Sequence, residues 1–279
     1  GSAREGAKFT LLTYNIMQWE DFEQRNLDYN ATMDAVLKAD ADIVALQECN
    51  SLEGDIYSLN KNNIKPAQLD SLYQRYPYRV VSSRDLALLS KYPILSTSNI
   101  SADSYTYAAA KYEVELPCGD RVTIFNVHLQ SIGLSSDDKA EYQSVVSKQI
   151  IEENVDSIKG TLKYLKHYVY PKLAAANISR AAQARIINAL IKKESGRVIL
   201  CGDFNDIPYS FAYLKIKGRM HDLYTERGFG PTVTYHANRL YFRIDQVFYK
   251  GRLLPLDIGR KSYPCSDHYP LLAEFEAYN

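Results

Sequence analysis

The 279-residue chain carries 33 Lys plus Arg against 33 Asp plus Glu, a formal net charge of zero. That balance argues against a protein held to nucleic acid by overall charge, while leaving room for a local basic groove. The four cysteines form no CxxC pair and no segment reaches transmembrane length, which argues against zinc fingers, a disulfide-dense scaffold and a helical membrane span.

The length suffices for a substantial core, and no Pro/Gly/Ser-rich linker, charge block or internal repeat divides it. One domain over residues 1–279 is expected. Residues 1–7, opening Gly1-Ser2-Ala3, read as a tag remnant or flexible start, so compartment, export and membrane anchoring stay open. The 23 tyrosines are unusual, and packing with a satisfied hydroxyl is the expected use of most.

In chain order, Phe9 to Tyr14 reads as a strand ending at Asn15, Thr32 to Lys38 as a short helix, and Asp42 to Leu46 as a buried strand ending at Gln47-Glu48. Residues 67–76 form a second helix closed by Pro77. Strand-like runs follow at Tyr78 to Ser82, Leu86 to Leu89, Tyr112 to Leu116 and Val122 to Val127, with Pro93 marking a turn or edge-strand start. Residues 136–195 turn helical. Tyr142, Val145, Val146 and Ile150 repeat at helical spacing, as do Leu162, Leu165, Val169 and Leu173 until Pro171 interrupts them. A last helix is expected from an N-cap at Ser179 through the stripe Ala182, Ile186, Ile187 and Leu190 to a stop at Gly196. Strands return at Thr232 to Tyr235, Ile244 to Tyr249, Leu254 to Ile258 and Leu271 to Phe275. This order fits a layered α/β sandwich better than a barrel of strict βα repeats.

Six segments share one grammar, an apolar strand whose end delivers a polar residue. They end on Asn15, on Gln47-Glu48, on His128, on Gly202-Asp203-Phe204-Asn205, at Arg243-Ile244-Asp245, and at Ser266-Asp267-His268. Asp203 and Asn205, two apart on an extended chain, would point the same way and reach one bound group; the plainer use of Asp and Asn after a strand is to turn the chain. Oxygen ligands such as Glu48 and Asp267 suit a hard cation such as Mg²⁺, and two imidazoles beside it suit proton transfer around a phosphate ester.

These segments, in this order, resemble the endonuclease/exonuclease/phosphatase superfamily of deoxyribonuclease-I-like metal-dependent phosphodiesterases, over Asn15 to His268. The resemblance implies a four-layer α/β/β/α sandwich of two packed mixed sheets, with a helical insertion over residues 135–177 before the Gly-Asp-Phe-Asn strand. It implies Glu48 as principal ligand of Mg²⁺, for which Mn²⁺ can substitute, with Asn15 and Asp267 completing or supporting the metal site. Asp203 would position or deprotonate the attacking water and Asn205 orient the phosphate. His268, paired with Asp245, would contact the phosphate and act in proton transfer or charge stabilisation. His128 would be the second imidazole. Arg243 is a candidate phosphate contact, with a packing role as the alternative.

The reaction implied is hydrolysis of a phosphate ester, most readily a phosphodiester, in nucleic acid, a phospholipid headgroup or a small molecule. A nuclease on DNA or RNA is the narrower alternative, and a fold that keeps only binding the third. No protein partner is implied and a monomer is expected. His167, His221 and His236 match nothing, and Asp222 reads as a local hydrogen-bond acceptor. The interleaved Lys163-Tyr164-Leu165-Lys166-His167-Tyr168-Val169-Tyr170 stretch reads first as a helix with snorkelling lysines; its block is also the candidate for substrate choice.

Overall fold

A computed structural model describes residues 6–23, 25, 27–49, 52, 63–82, 86–100, 108–133, 163, 165–230, 232–237, 241–263 and 265–278 of the chain. The first strand is β1 (Ala7–Asn15), followed by α1 (Ala31–Ala39), β2 (Ile43–Gln47) and α2 (Pro66–Arg75). Next come β3 (Tyr78–Ser82), β4 (Leu86–Ser90), β5 (Ile94–Ile100), β6 (Ala108–Glu115) and β7 (Arg121–His128). A π-helical turn, Leu165–Val169, leads into α3 (Tyr170–Lys193) and then β8 (Arg197–Asp203). The chain closes with α4 (Phe211–Lys217), β9 (His221–Asp222), α5 (Leu223–Arg227), β10 (Asp245–Lys250), β11 (Leu253–Arg260) and β12 (Leu271–Ala277).

The strands form two six-stranded sheets, ordered β11-β12-β1-β2-β4-β3 and β5-β6-β7-β8-β10-β9. Both are mixed. β1 runs parallel to β2 and β7 parallel to β8, and the other strand pairings are antiparallel. Packed face to face, the sheets bury a central core that includes Leu11, Ile43, Leu88, Tyr112, Ile124, Ile199, Val247 and Phe275. The outer face of the first sheet is covered through Leu12, Val44, Met33, Val36 and Leu72, the last three from α1 and α2. The second is covered through Phe125, Leu200, Ile187, Ile191 and Tyr213, from α3 and α4 among others. Every residue of β2 and of β4 is buried. Burial on both faces is why these strands read as unbroken apolar runs rather than alternating ones.

Four expectations need correction. Pro171 does not interrupt a helix: it occupies the first turn of α3, where a missing N–H costs nothing. Ser179 lies inside that 24-residue helix and caps nothing. Thr232 to Tyr235 is not a strand; Tyr235 makes only isolated bridges, to Phe242 and His268. Ala7 belongs to β1, paired with Ala277, so the flexible start does not reach residue 7. Most of the insertion at 135–177 (residues 135–162 and 164), with its Tyr142, Val145, Val146 and Ile150 stripe, lies outside the described residues. Among the described residues, no helix is long and apolar enough to cross a membrane.

Candidate active site at the strand ends

Two parallel pairs, β1–β2 in one sheet and β7–β8 in the other, bring four carboxyl-terminal strand ends to one edge of the sandwich. In register, Asn15 lies opposite Gln47, and His128 opposite Asp203. β10 runs antiparallel to β8, so its first residue, Asp245, pairs with Asp203. The sheets are tied together at this edge by buried amides. Gln47 Nε2 donates to Asn126 Oδ1 at 2.7 Å, and Asn126 Nδ2 donates to the carbonyls of Leu46 and Ala87. These bonds satisfy Gln47 Nε2 and both polar atoms of the Asn126 amide, which would be costly to bury alone, and they fix the spacing of the two sheets at this edge.

Gly202 has a reason of its own. Its φ is +135°, and a Cβ there would overlap the carbonyl oxygen of Val127 on the neighbouring strand. Only glycine lets β8 approach β7 in this register and deliver Asp203 beside His128.

The backbone around the site is strained. Met17, Gln18, Trp19, Glu48 and Asn205 all have positive φ. Residues in the left-handed region cost on the order of 1 kcal/mol or more each, and such strain collects where side chains must be aimed. Glu48, at φ +52°, is turned out of β2, and Gln18 N–H donates to its carbonyl at 2.9 Å.

Asn15 joins the halves. Its Nδ2 donates to Glu48 Oε1 at 3.0 Å and to Asp203 Oδ2 at 3.1 Å, while its Oδ1 accepts from Met17 N–H. Asp203, 1% exposed, is the hub. Its Oδ1 accepts from the Asn205 backbone N–H at 2.7 Å, and its Oδ2 lies 3.6 Å from both His128 Nε2 and His268 Nε2. Asn205 therefore does close a turn on Asp203, in αL and not on an extended strand, and the same fold sends its Nδ2 to the Leu129 carbonyl at 3.0 Å. The turn and the site are one structure. Burial pushes the Asp203 carboxyl above the usual carboxylate range; the His268 and His128 charges oppose the shift and Asp245 adds to it.

His268 is buried, with Nδ1 2.8 Å from Asp245 Oδ2 and its ring edge-on to Tyr235. Burial alone would disfavour the imidazolium, but Asp245 and Asp203 outweigh it and raise the pKa to about 10. The two carboxylates therefore favour the protonated imidazole. Asp203, Asp245 and His268 offer ligand atoms all within 4.8 Å of one another. With Nδ1 held by Asp245 and Nε2 facing Asp203, the trio forms a charge and hydrogen-bond network in the absence of a metal. The donor chemistry that fits a hard cation lies at the other corner, where the one-third-exposed Glu48 carboxylate meets Asn15.

Folding raises the His268 pKa above its ordinary 6.5. Stabilisation from this group is thus fully present below about pH 6.5 and is lost as the pH climbs toward 10. Between these values wild type is expected to lose more stability than His268→Gln, read as urea midpoints across the range. Parallel pH dependences would contradict a protonated His268.

Asp267 is half-buried beside this network; Ser266 Oγ donates to Asn15 O at 2.7 Å and lies 3.4 Å from Asp267 Oδ1. Arg243 does not join. Its Nη2 donates to Asp222 Oδ2 at 3.2 Å and its guanidinium lies over Tyr224, so the expected phosphate contact is a packing contact. Asp222 is a local acceptor as expected: it caps α5 through the N–H groups of Tyr224 and Thr225 and accepts from the Tyr213 hydroxyl. His221 pairs with Glu226 at the surface. His236 is closer to the site than its sequence context suggested: its Nε2 lies 2.9 Å from Ser266 O and its ring stacks on Tyr269. Thr234 Oγ1 accepts from the N–H groups of Ile244 and Asp245 and fixes the start of β10. Neither carries a sequence signal, since both act through neighbours distant in the chain.

Residues 12–268 match the model of the endonuclease/exonuclease/phosphatase family. No curated protein matches the sequence. Solved structures do. An endonuclease/exonuclease/phosphatase from Bacteroides vulgatus is 18% identical, with a TM-score of 0.61 over 97% of this chain and 99% of that one. TDP2 from D. rerio, complexed with a single-strand DNA product, is 16% identical, with a TM-score of 0.58 over 96% and 98%. ANGEL2, described as a 2',3'-cyclic phosphatase, is 16% identical, with a TM-score of 0.60 over 98% and 96%. At these identities the structural likeness speaks for the fold, two packed mixed sheets in an α/β sandwich.

Proposed function

This chain belongs to the endonuclease/exonuclease/phosphatase family, and from that premise we propose that it is a Mg²⁺-dependent hydrolase of phosphate esters that prefers phosphodiesters. The observation that carries the reading is Asn15 Nδ2 bridging Glu48 and Asp203 while two imidazole Nε2 atoms flank Asp203 Oδ2.

Glu48 would hold the cation, with Asn15 and Asp267 supporting it; when bound, the cation supplies Lewis-acid neutralisation of charge on the phosphate. Asp203, a carboxylate made more basic by burial, takes the proton of the attacking water. Its Oδ1 stays fixed on the Asn205 N–H, so Oδ2 is the atom that receives it. Asn205 orients the phosphate beside it. His268, cationic and locked by Asp245, presents Nε2–H to the phosphate and stabilises the charge that builds there. His128, one-fifth exposed at the end of β7, faces the same space and handles the leaving-group proton.

A nuclease is the narrower reading, favoured by the DNA product held by the D. rerio relative; the balanced charge of this chain weighs against it. Hydrolysis of a bis-aryl phosphate, single- and double-stranded nucleic acid and phospholipid vesicles, each with Mg²⁺, Mn²⁺ or EDTA, tests the proposal. At least one phosphodiester is expected to be cleaved, only with metal. If all remain intact with either cation, the reading is wrong.

A further inference from the structure

Arg180 is one of the most deeply buried large side chains in the chain, 1% exposed, and it lies in α3, the helix between His128 and Asp203 in sequence. A guanidinium removed from water is a poor route to stability, because its desolvation offsets most of what its partners return. Burial lowers the pKa of Arg180 while Asp206 and Asp203 act to raise it. Its contacts suggest another use.

Nη1 of Arg180 donates to the Gln130 carbonyl at 3.0 Å, Nη2 donates to Asn177 Oδ1, and Nε lies 3.2 Å from Asp206 Oδ2. One turn further along α3, Gln183 Oε1 accepts the Gln130 N–H at 3.0 Å. Both backbone groups of Gln130 are thus held by α3. Gln130 lies two residues past His128, and Asp206 is the residue after Asn205. Between them the loops are laced together: Leu129 N–H donates to Asp203 O at 2.9 Å, and Asn205 Nδ2 donates to Leu129 O. The planar fork of Arg180 spans the two loops that carry His128 on one side and Asp203 and Asn205 on the other. It is closed off from solvent and so cannot itself meet a substrate.

We propose that Arg180 is a positioning residue: with Asp206 it clamps the loop after His128 to the loop after Asp203, and so fixes the imidazole and the carboxylate relative to each other. The proposal rests on the hydrolase reading for its kinetic consequence. It makes α3 a means of setting the geometry of the active site from outside it.

The test uses the full chain with Arg180→Gln, Arg180→Lys, Asp206→Ala and the Arg180→Gln/Asp206→Ala double variant, assayed on whichever phosphodiester the substrate panel identifies, well below each unfolding midpoint. A displacement of about 1 Å in a reacting group can cost on the order of 100-fold. Arg180→Gln and Asp206→Ala are each expected to lower kcat by roughly 10- to 100-fold and to leave KM within about threefold. The double variant should be no worse than the weaker single, because both break one clamp. Lys keeps the charge but not the fork, so Arg180→Lys should recover only part of the loss. In the metal-free protein, without substrate, the ring ¹⁵N resonances of His128, assigned with His128→Gln, should shift in both single variants. Unchanged kcat in folded variants, or additive losses, would overturn the clamp. Should wild type cleave nothing in the panel, the hydrolase reading fails, and the His128 resonances then decide the clamp alone: unmoved, they refute it. If Arg180→Gln does not fold, Arg180→Lys and the partly exposed Asp206→Ala carry both readouts.

Discussion

Asp203→Asn should lower kcat by roughly 10³-fold, within the range that a positioned general base contributes, and leave the fold intact. The substitution keeps the shape of the side chain and removes only its charge. Asp203 Oδ2 accepts from Asn15 Nδ2 at 3.1 Å and lies 3.6 Å from two imidazoles, so an amide there cannot take a proton from water and turns N–H groups toward other donors, in one orientation or the other. Stability responds differently. Burial already pushes this carboxyl toward its neutral form, so a neutral isostere relieves a desolvation cost even as it weakens the pairing with His268. Kinetics on the cleaved phosphodiester, beside a urea melt, check both halves. Equal activity in Asp203→Asn and wild type would show that the catalytic assignment is wrong.

Glu48→Gln is the second large effect, and it should act through the cation. Glu48 is the exposed member of the cluster, with a third of its side chain open, and its Oε1 receives Asn15 Nδ2. A Lewis-acid cation supplies several kcal/mol of transition-state stabilisation, so losing the anionic oxygen is expected to reduce turnover by roughly 10³-fold. Unlike Asp203→Asn, the loss should be partly recovered at high Mg²⁺ or Mn²⁺, because the remaining donors still attract the ion. A metal titration of initial rates distinguishes the two: the half-saturating concentration moves upward for Glu48→Gln and stays near the wild-type value for Asp203→Asn. A Glu48→Gln variant with unchanged metal dependence would remove Glu48 from the metal site.

Much of this arrangement is legible before folding is considered. Strands such as Ile43–Gln47 and Arg197–Asp203 announce themselves as apolar runs because both of their faces are covered, and the residues at their ends are those that meet. What the sequence conceals is tertiary. Pro171 looks like a helix breaker, yet at the first turn of α3 it is a starter, and a serine inside that helix imitates a cap. Asp203 and Asn205 are legible as a pair, but by a strand argument that the αL turn at Asn205 replaces. Arg243 matched a phosphate contact by type and proximity in sequence; its partners, Asp222 and Tyr224, are set by how β9 and α5 pack beside β10. Arg180, Thr234 and His236 have no signature at all, since each acts by holding backbone that is far away in sequence.

The backbone strain has a bearing on the chemistry. Five non-glycine residues around the site sit at positive φ, three of them consecutive at Met17–Trp19. Such a turn persists only where its surroundings over-determine it. Here the determinants are visible: Trp19 is buried, and Gln18 N–H is bound to the Glu48 carbonyl. These contacts hold the two ends that must face each other, Asn15 and Glu48, in place before any ligand arrives.

In the proposed mechanism Glu48 would anchor a divalent cation beside a separate Asp203–His268–Asp245 proton network. Anomalous diffraction from crystals soaked in Mn²⁺ tests it most directly. An anomalous peak is expected in contact with the Glu48 carboxylate, absent from Glu48→Gln crystals. A peak held instead by Asp203, Asp245 and His268, with none at Glu48, would contradict it.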